Sequence, residues 1–190
     1  MIVTPYYNKP SQIGILKHFE SIKNTTELPI MAYNIPGRTG TLIELDTIEK
    51  LIKDVGIHSI KDAVGNFDFS REELTRFKDD VFIYSGDDAL TKNFIENGAV
   101  GVVSVASHLV GRQIKEMINL ILENKETEAE KIHQMLLPFI AAIFEEPSPG
   151  PVKYLLSESW ENVGKPLLPM TDVSLELAKK LNDQYTKINI

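Results

Sequence analysis

Ile57-His58-Ser59-Ile60-Lys61-Asp62-Ala63-Val64-Gly65 is the stretch on which the fold turns. Its first five residues predict a short strand, and Gly65 marks the turn that follows. Working outward, similar stretches recur at residues 29–34, 81–85 and 101–105, with a stub at 2–4. Helical patterns fill the gaps between them. Ser11 can cap a helix whose Ile15, Leu16, Phe19 and Ile22 share one face. After a loop with Gly37 and Gly40, Ile48, Leu51, Ile52 and Val55 fall at helical spacing. Ser70 with Glu73 predicts a capping box that opens a helix bearing Leu74 and Phe77. A short helix at 89–97 and a longer one with Ile114, Met117, Ile118 and Ile121 complete the alternation.

Strand and helix thus alternate to about residue 123, which predicts a parallel sheet covered by helices. A doubly wound open sheet and a (β/α)₈ barrel both satisfy this pattern. No G-x-G-x-x-G follows the first strand, which weakens a dinucleotide-binding fold. A whole barrel takes roughly 250 residues; this chain has 190. Beyond residue 123 the chain reads as helical. Residues 126–144 form one helix, expected to kink at Pro138. Pro147-Ser148-Pro149-Gly150-Pro151 is a rigid connector, followed by helical segments at 152–159 and 174–187.

Composition narrows the function. The formal net charge is −7, and phosphate backbones want a basic face, so nucleic acid is not an expected partner. No apolar run reaches the roughly 20 residues of a membrane span. The chain has no cysteine, hence no disulfides and no thiolate metal site. His18, His58, His108 and His133 lack metal-ligand spacing, and Asp87-Asp88 has no evident third ligand, so no metal is expected. A cytoplasmic protein is the expectation.

Polar residues gather at the C-terminal ends of the strands: Tyr6-Tyr7, Tyr33-Asn34, Lys61-Asp62, Ser85-Gly86-Asp87-Asp88 and Ser104. Parallel α/β folds build their sites at that edge. Lys61 suits a covalent nucleophile once burial makes its amine neutral. At an ordinary pKa, only about 0.04% of a lysine is neutral at pH 7. Asp62 follows Lys61 directly and points to the opposite face, so it is not the lysine's partner. Tyr33 could relay protons through its phenol, or simply pack. Arg38, in a glycine-flanked loop, has the fork for a carboxylate.

Taken in order, these segments resemble the dihydrodipicolinate synthase family of pyruvate-dependent Schiff-base aldolases. The likeness is carried by Val3-Thr4-Pro5-Tyr6-Tyr7-Asn8-Lys9-Pro10, Tyr33-Asn34-Ile35-Pro36-Gly37-Arg38-Thr39-Gly40 and Ile60-Lys61-Asp62-Ala63-Val64-Gly65-Asn66. Ser85-Gly86-Asp87-Asp88, Gly101-Val102-Val103-Ser104-Val105 and Pro149-Gly150-Pro151-Val152-Lys153 follow. The resemblance implies a (β/α)₈ TIM barrel lacking about its first three strands. Residues 1–123 would be the C-terminal part of that barrel and 124–190 a helical extension packed on it.

It also implies condensation of pyruvate with aspartate semialdehyde to 4-hydroxy-tetrahydrodipicolinate, in lysine biosynthesis. Lys61 would form the imine, with no cofactor. Tyr33 would relay protons. Tyr7 would be the second relay tyrosine, contributed across a dimer interface within a homodimer or homotetramer. Arg38 would grip the aldehyde's carboxylate, and Gly86 and the Val103 backbone would border the pyruvate pocket. Set against the family pattern, the Gly-Thr-Thr-Gly-Glu loop is missing. N-acetylneuraminate lyases and keto-deoxy sugar-acid aldolases of the same family are the alternative activities. An inactive truncated fragment is the alternative to activity altogether.

Overall fold

The structure is a computed structural model that describes residues 1–188. The chain forms two compact units, Met1–Val103 and Ser104–Ile190. In the first, five strands make one parallel sheet: β1 (Ile2–Val3), β2 (Met31–Asn34), β3 (Ser59–Asp62), β4 (Phe82–Ser85) and β5 (Gly101–Val102). They lie side by side in chain order. Helices connect them: α1 (Gln12–Lys23), the single turn α2 (Pro36–Thr39), α3 (Leu45–Lys50) continued by a π-helical stretch Leu51–Val55, α4 (Phe67–Phe77) and α5 (Thr91–Glu96). Sequential parallel strands joined by helices are the unit of a TIM barrel.

Register explains which side chains meet. Ala32, Ile60 and Ile83 pair across β2, β3 and β4, and the next residues on that face are Asn34, Asp62 and Ser85. All six are essentially inaccessible to water. Leu74 and Phe77 of α4, Leu51, Ile48 and Phe94 supply the apolar side of the helical layer. The opposite face carries Met31, Tyr33 and Tyr84, which are only half-buried, and Phe82, which is exposed. One face of the sheet is therefore a closed core and the other is partly open.

The three polar residues on the closed face each tie down the turn that follows their own strand. Asn34 donates through Nδ2 to the Ile43 carbonyl at 3.1 Å and accepts from the Ile43 N–H at 3.0 Å. Asp62 Oδ1 accepts from the Val64 N–H at 2.7 Å. Ser85 Oγ donates to the Asp87 carbonyl at 2.7 Å and accepts from the Asp87 N–H at 3.2 Å. Buried polar groups need such partners, and here the partners are loop backbone.

The second unit is helical: α6 (Ser107–Leu122), α7 (Glu126–Ile143), α8 (Gly150–Ser159) and α9 (Leu175–Ile188). Within it α6 packs on α7, α7 on α9, and α8 on both α6 and α9. The expected division after residue 123 follows the βα repeat. Packing instead groups α6, the helix after β5, with the C-terminal helices. Residues Glu126–Ile143 do form one helix, running through Pro138.

Three local expectations are corrected. The segment with Gly37 is a helical turn, because Pro36 presets the first helical φ and Gly40 closes the turn at φ 72°. The strand expected at 101–105 pairs only over Gly101–Val102. Most consequentially, Ser70 and Glu73 do not cap a helix. Asn66 does, accepting from the N–H groups of Asp68 and Phe69. The helix therefore starts earlier, and Ser70 and Glu73 fall inside it on the buried stripe with Leu74 and Phe77.

Asn34 offers a direct test of the turn-tying role. Asn34→Ala removes two hydrogen bonds and leaves the Ile43 N–H and carbonyl without partners in a dry site. Each such loss costs about 1–3 kcal/mol. Denaturant unfolding should show a loss of roughly 2–6 kcal/mol; a loss below about 0.5 kcal/mol would mean that water or other groups replace the amide.

Candidate active site

The half-open face of the sheet carries one row that crosses all five strands: Val3, Tyr33, Lys61, Tyr84 and Gly101. Lys61 stands in the middle of that row. Its neighbours on β3, Ser59, Ile60 and Asp62, are all buried, so the lysine leaves the sheet from a dry base. Only 9% of Lys61 is accessible, and its Nζ lies 4.2 Å from the centroid of the Tyr33 ring.

An ammonium over a phenol ring gains about 0.5–2 kcal/mol. Burial outweighs that gain and moves the Lys61 amine below the usual lysine range. The Asp88 carboxylate, buried on the β4–α5 connection, works in the other direction, and Arg38 adds to the lowering. Each unit of lowering raises the neutral fraction about tenfold.

Gly86 is the residue that permits this crowding. A Cβ at position 86 would sit 2.9 Å from Lys61 Cε, Ala63 Cβ and the Asp62 carbonyl. The Gly86 N–H donates to that same carbonyl at 2.5 Å. Only glycine lets the strand-end backbone lie so close to the lysine stem. Val103 belongs to the same edge, since its N–H donates to the Ser85 carbonyl at 2.8 Å.

Tyr33 is half-buried, and burial raises its hydroxyl above the usual tyrosine value, with Arg38 opposing. A phenol in that condition keeps its proton near neutral pH and can hand it to a basic atom. Arg38 is exposed on α2, and its N–H donates to the Ile35 carbonyl at 3.0 Å. With Val3, Tyr6, Tyr33 and Thr39 it lines a cavity of about 500 Å³. That cavity is large enough for a small carboxylic acid, with a guanidinium at its wall.

Lys61, Tyr33, Arg38 and Gly86 therefore form one cluster, with Val103 at its edge. Tyr7 is not brought to it. Tyr7 is 87% exposed, in the left-handed region at φ 69°. Two residues were not singled out from the sequence for this cluster. Asp88 stood there among the strand-end polar residues and as half of a rejected metal pair, without a role toward Lys61, yet it acts on the lysine amine. Tyr84 is the β4 member of the row, and strand alternation from Ser85 would have indicated it.

Comparison with known proteins gives a concordant result. A family model described as the dihydrodipicolinate synthetase family matches residues 1–188. A 4-hydroxy-tetrahydrodipicolinate synthase from Listeria monocytogenes serotype 4b is 41% identical over 181 residues, covering 95% of this chain and 62% of that protein. The crystal structure of a dihydrodipicolinate synthase from Bacillus anthracis superimposes with a TM-score of 0.94 at 40% identity, over 98% of this chain and 64% of the other. The chloride-inhibited dihydrodipicolinate synthase from Acinetobacter baumannii, solved in complex with pyruvate, gives 0.93 at 30% identity over 99% of this chain and 65% of the other. The chain thus spans a little under two thirds of the length of the relatives it matches.

The electrostatics of Lys61 can be measured through its reactivity. Labelling with a small amine reagent across pH, read by peptide mass spectrometry, should give Lys61 a midpoint below that of the surface lysines. Asp88→Asn should move that midpoint further down, and Arg38→Ala should move it up. A Lys61 midpoint equal to that of exposed Lys17 would contradict the dry environment.

Proposed function

The chain belongs to the dihydrodipicolinate synthetase family, and on that basis we propose that it carries the Schiff-base half of a pyruvate-condensing active site. The observation that carries the proposal is the Tyr33–Lys61 pair: a buried amine with depressed basicity, held 4.2 Å from a phenol ring. The neutral Lys61 amine attacks the keto carbon of pyruvate. Loss of water from the resulting carbinolamine leaves an iminium. Removal of a methyl proton gives an enamine, whose carbon then attacks an aldehyde.

Tyr33 is the proton relay in these steps. Its raised hydroxyl supplies a proton to the departing water and takes one back during the interconversion of iminium and enamine. Gly86 and the Val103 backbone border the ketoacid. Arg38, at the wall of the neighbouring cavity, receives the carboxylate of the second substrate, for which aspartate semialdehyde is the proposed aldehyde. Tyr7, exposed on this chain, is proposed to act across an interface between copies. Residues 124–190 correspond to the family's helical extension, and the cytoplasm is the compartment that lysine biosynthesis implies.

Steady-state kinetics separate the roles. Tyr33→Phe should lower kcat by about 10²–10⁴-fold with little change in KM for pyruvate. Arg38→Ala should raise KM for aspartate semialdehyde and leave pyruvate use largely intact. Equal damage to both substrates in both variants would contradict these assignments. Faster turnover of sialic acid or a keto-deoxy sugar acid than of aspartate semialdehyde would shift the activity to another branch of the family.

A further inference from the structure

Directly behind Lys61, on the closed face of β3, two acids are buried together. Asp62 and Glu73 are each 0% exposed. Asp62 uses Oδ1 to hold the Val64 N–H, but its Oδ2 and both oxygens of Glu73 lack a hydrogen-bond donor. Among the described residues neither acid forms an ion pair. The basic residues of α4 face away: Arg71 pairs with Asp68, and Arg76 with Asp46 and Glu49.

Two carboxylates cannot both stay charged in such a place, so one must hold a proton. The donors decide which. Asp62 has the Val64 N–H on its Oδ1 to favour its charged form. Glu73 has no such donor, and it occupies a stripe position where a helix ordinarily buries an apolar side chain.

We propose that Glu73 is a positioning residue: it remains a neutral acid, donates its proton in a hydrogen bond to Asp62 Oδ2, and thereby fixes the backbone on either side of Lys61. Asp62 is the link. Its Oδ1 holds Val64, its carbonyl accepts from Gly86, and its Cα is bonded through one peptide to Lys61. Asp62 free to rotate would release the turn at Ala63-Val64 and the contact that seats Gly86 on the lysine stem. The importance of that seating for catalysis rests on the proposed function; the proton on Glu73 does not.

Groups from every neighbouring element fit this assignment. From β3, Asp62 raises the affinity of Glu73 for its proton, after burial, the largest influence. From the β4–α5 connection, Asp87 adds a second negative charge acting on Asp62. Facing α4, α5 contributes an aromatic contact, Phe94 against Phe67 at 5.9 Å between centroids, and its Lys92 pairs with Glu96 of the same helix at 2.7 Å. The sign follows. An acid whose affinity for its proton is raised by folding stabilises the fold fully below its unfolded pKa, about 4.3. That contribution fades as pH rises toward the higher folded value.

Three measurements on Glu73→Gln, Glu73→Leu and the parent protein test this. Infrared spectra near neutral pH should show the carbonyl band of a dry, protonated carboxylic acid in the parent protein and lose it in both variants. From pH 5 to 7 the folded-to-unfolded ratio of the parent should fall relative to Glu73→Gln by up to about tenfold per pH unit. The labelling rate of Lys61 should be preserved in Glu73→Gln, whose amide still donates to Asp62, and altered severalfold in Glu73→Leu, which fills the space without a donor. Absence of the acid band, with a flat stability difference across pH, would overturn the protonated state. Equal Lys61 rates in the two variants would overturn the positioning role. None of these measurements uses pyruvate, so each outcome holds whether or not the proposed condensation takes place.

Discussion

Desolvation of one amine is the constraint on which the strand edge of this protein depends. Lys61 is the third residue of a strand whose four residues are all buried, and a lysine in that position loses water that no single partner restores. The Tyr33 ring and the Asp88 carboxylate return part of the lost solvation, while Arg38 opposes the charge. The balance leaves the amine easier to deprotonate than a surface lysine. Such a balance is sensitive to small displacements, which is why the surroundings of Lys61 have to be stiff.

Stiffness comes from the other face of the sheet. Asn34, Asp62 and Ser85 stand in register on adjacent strands and each binds backbone of the turn that follows. The chemistry-bearing row and the turn-holding row are offset by a single residue on each strand, because successive side chains alternate between faces. Thus Tyr33 is backed by Asn34, and Lys61 by Asp62. The second row places polar groups in the core, where they would be costly if left unpaired. Of the three, only the acid has an oxygen left over, and Glu73 is the side chain that meets it.

Much of this was legible in the sequence. Alternating apolar stretches and helical stripes pointed to the parallel sheet, and the strand-end position of Lys61 singled out the candidate nucleophile. The row Tyr33–Lys61 followed from strand ends and the family motif. What escaped were features set by tertiary burial. Ser70 and Glu73 have the spacing of a capping box, but Asn66, four residues before Ser70, had the stronger local claim on the helix start. A buried glutamate and an exposed capping glutamate are the same letter, and only packing against β3 tells them apart. The action of Asp88 on Lys61 escaped for a similar reason: it depends on how the end of β4 folds against β3, which the sequence does not spell out. Tyr7 follows the end of β1, yet it stands exposed.

Whether Lys61 is the covalent nucleophile toward pyruvate decides the rest of the chemistry. Incubation with pyruvate, reduction with borohydride and peptide mapping by mass spectrometry answer that question at the residue itself. The expected result is a single reduced pyruvate adduct, on Lys61, absent from Lys61→Ala. An adduct on a different lysine, or unchanged labelling in Lys61→Ala, would show that the nucleophile lies elsewhere.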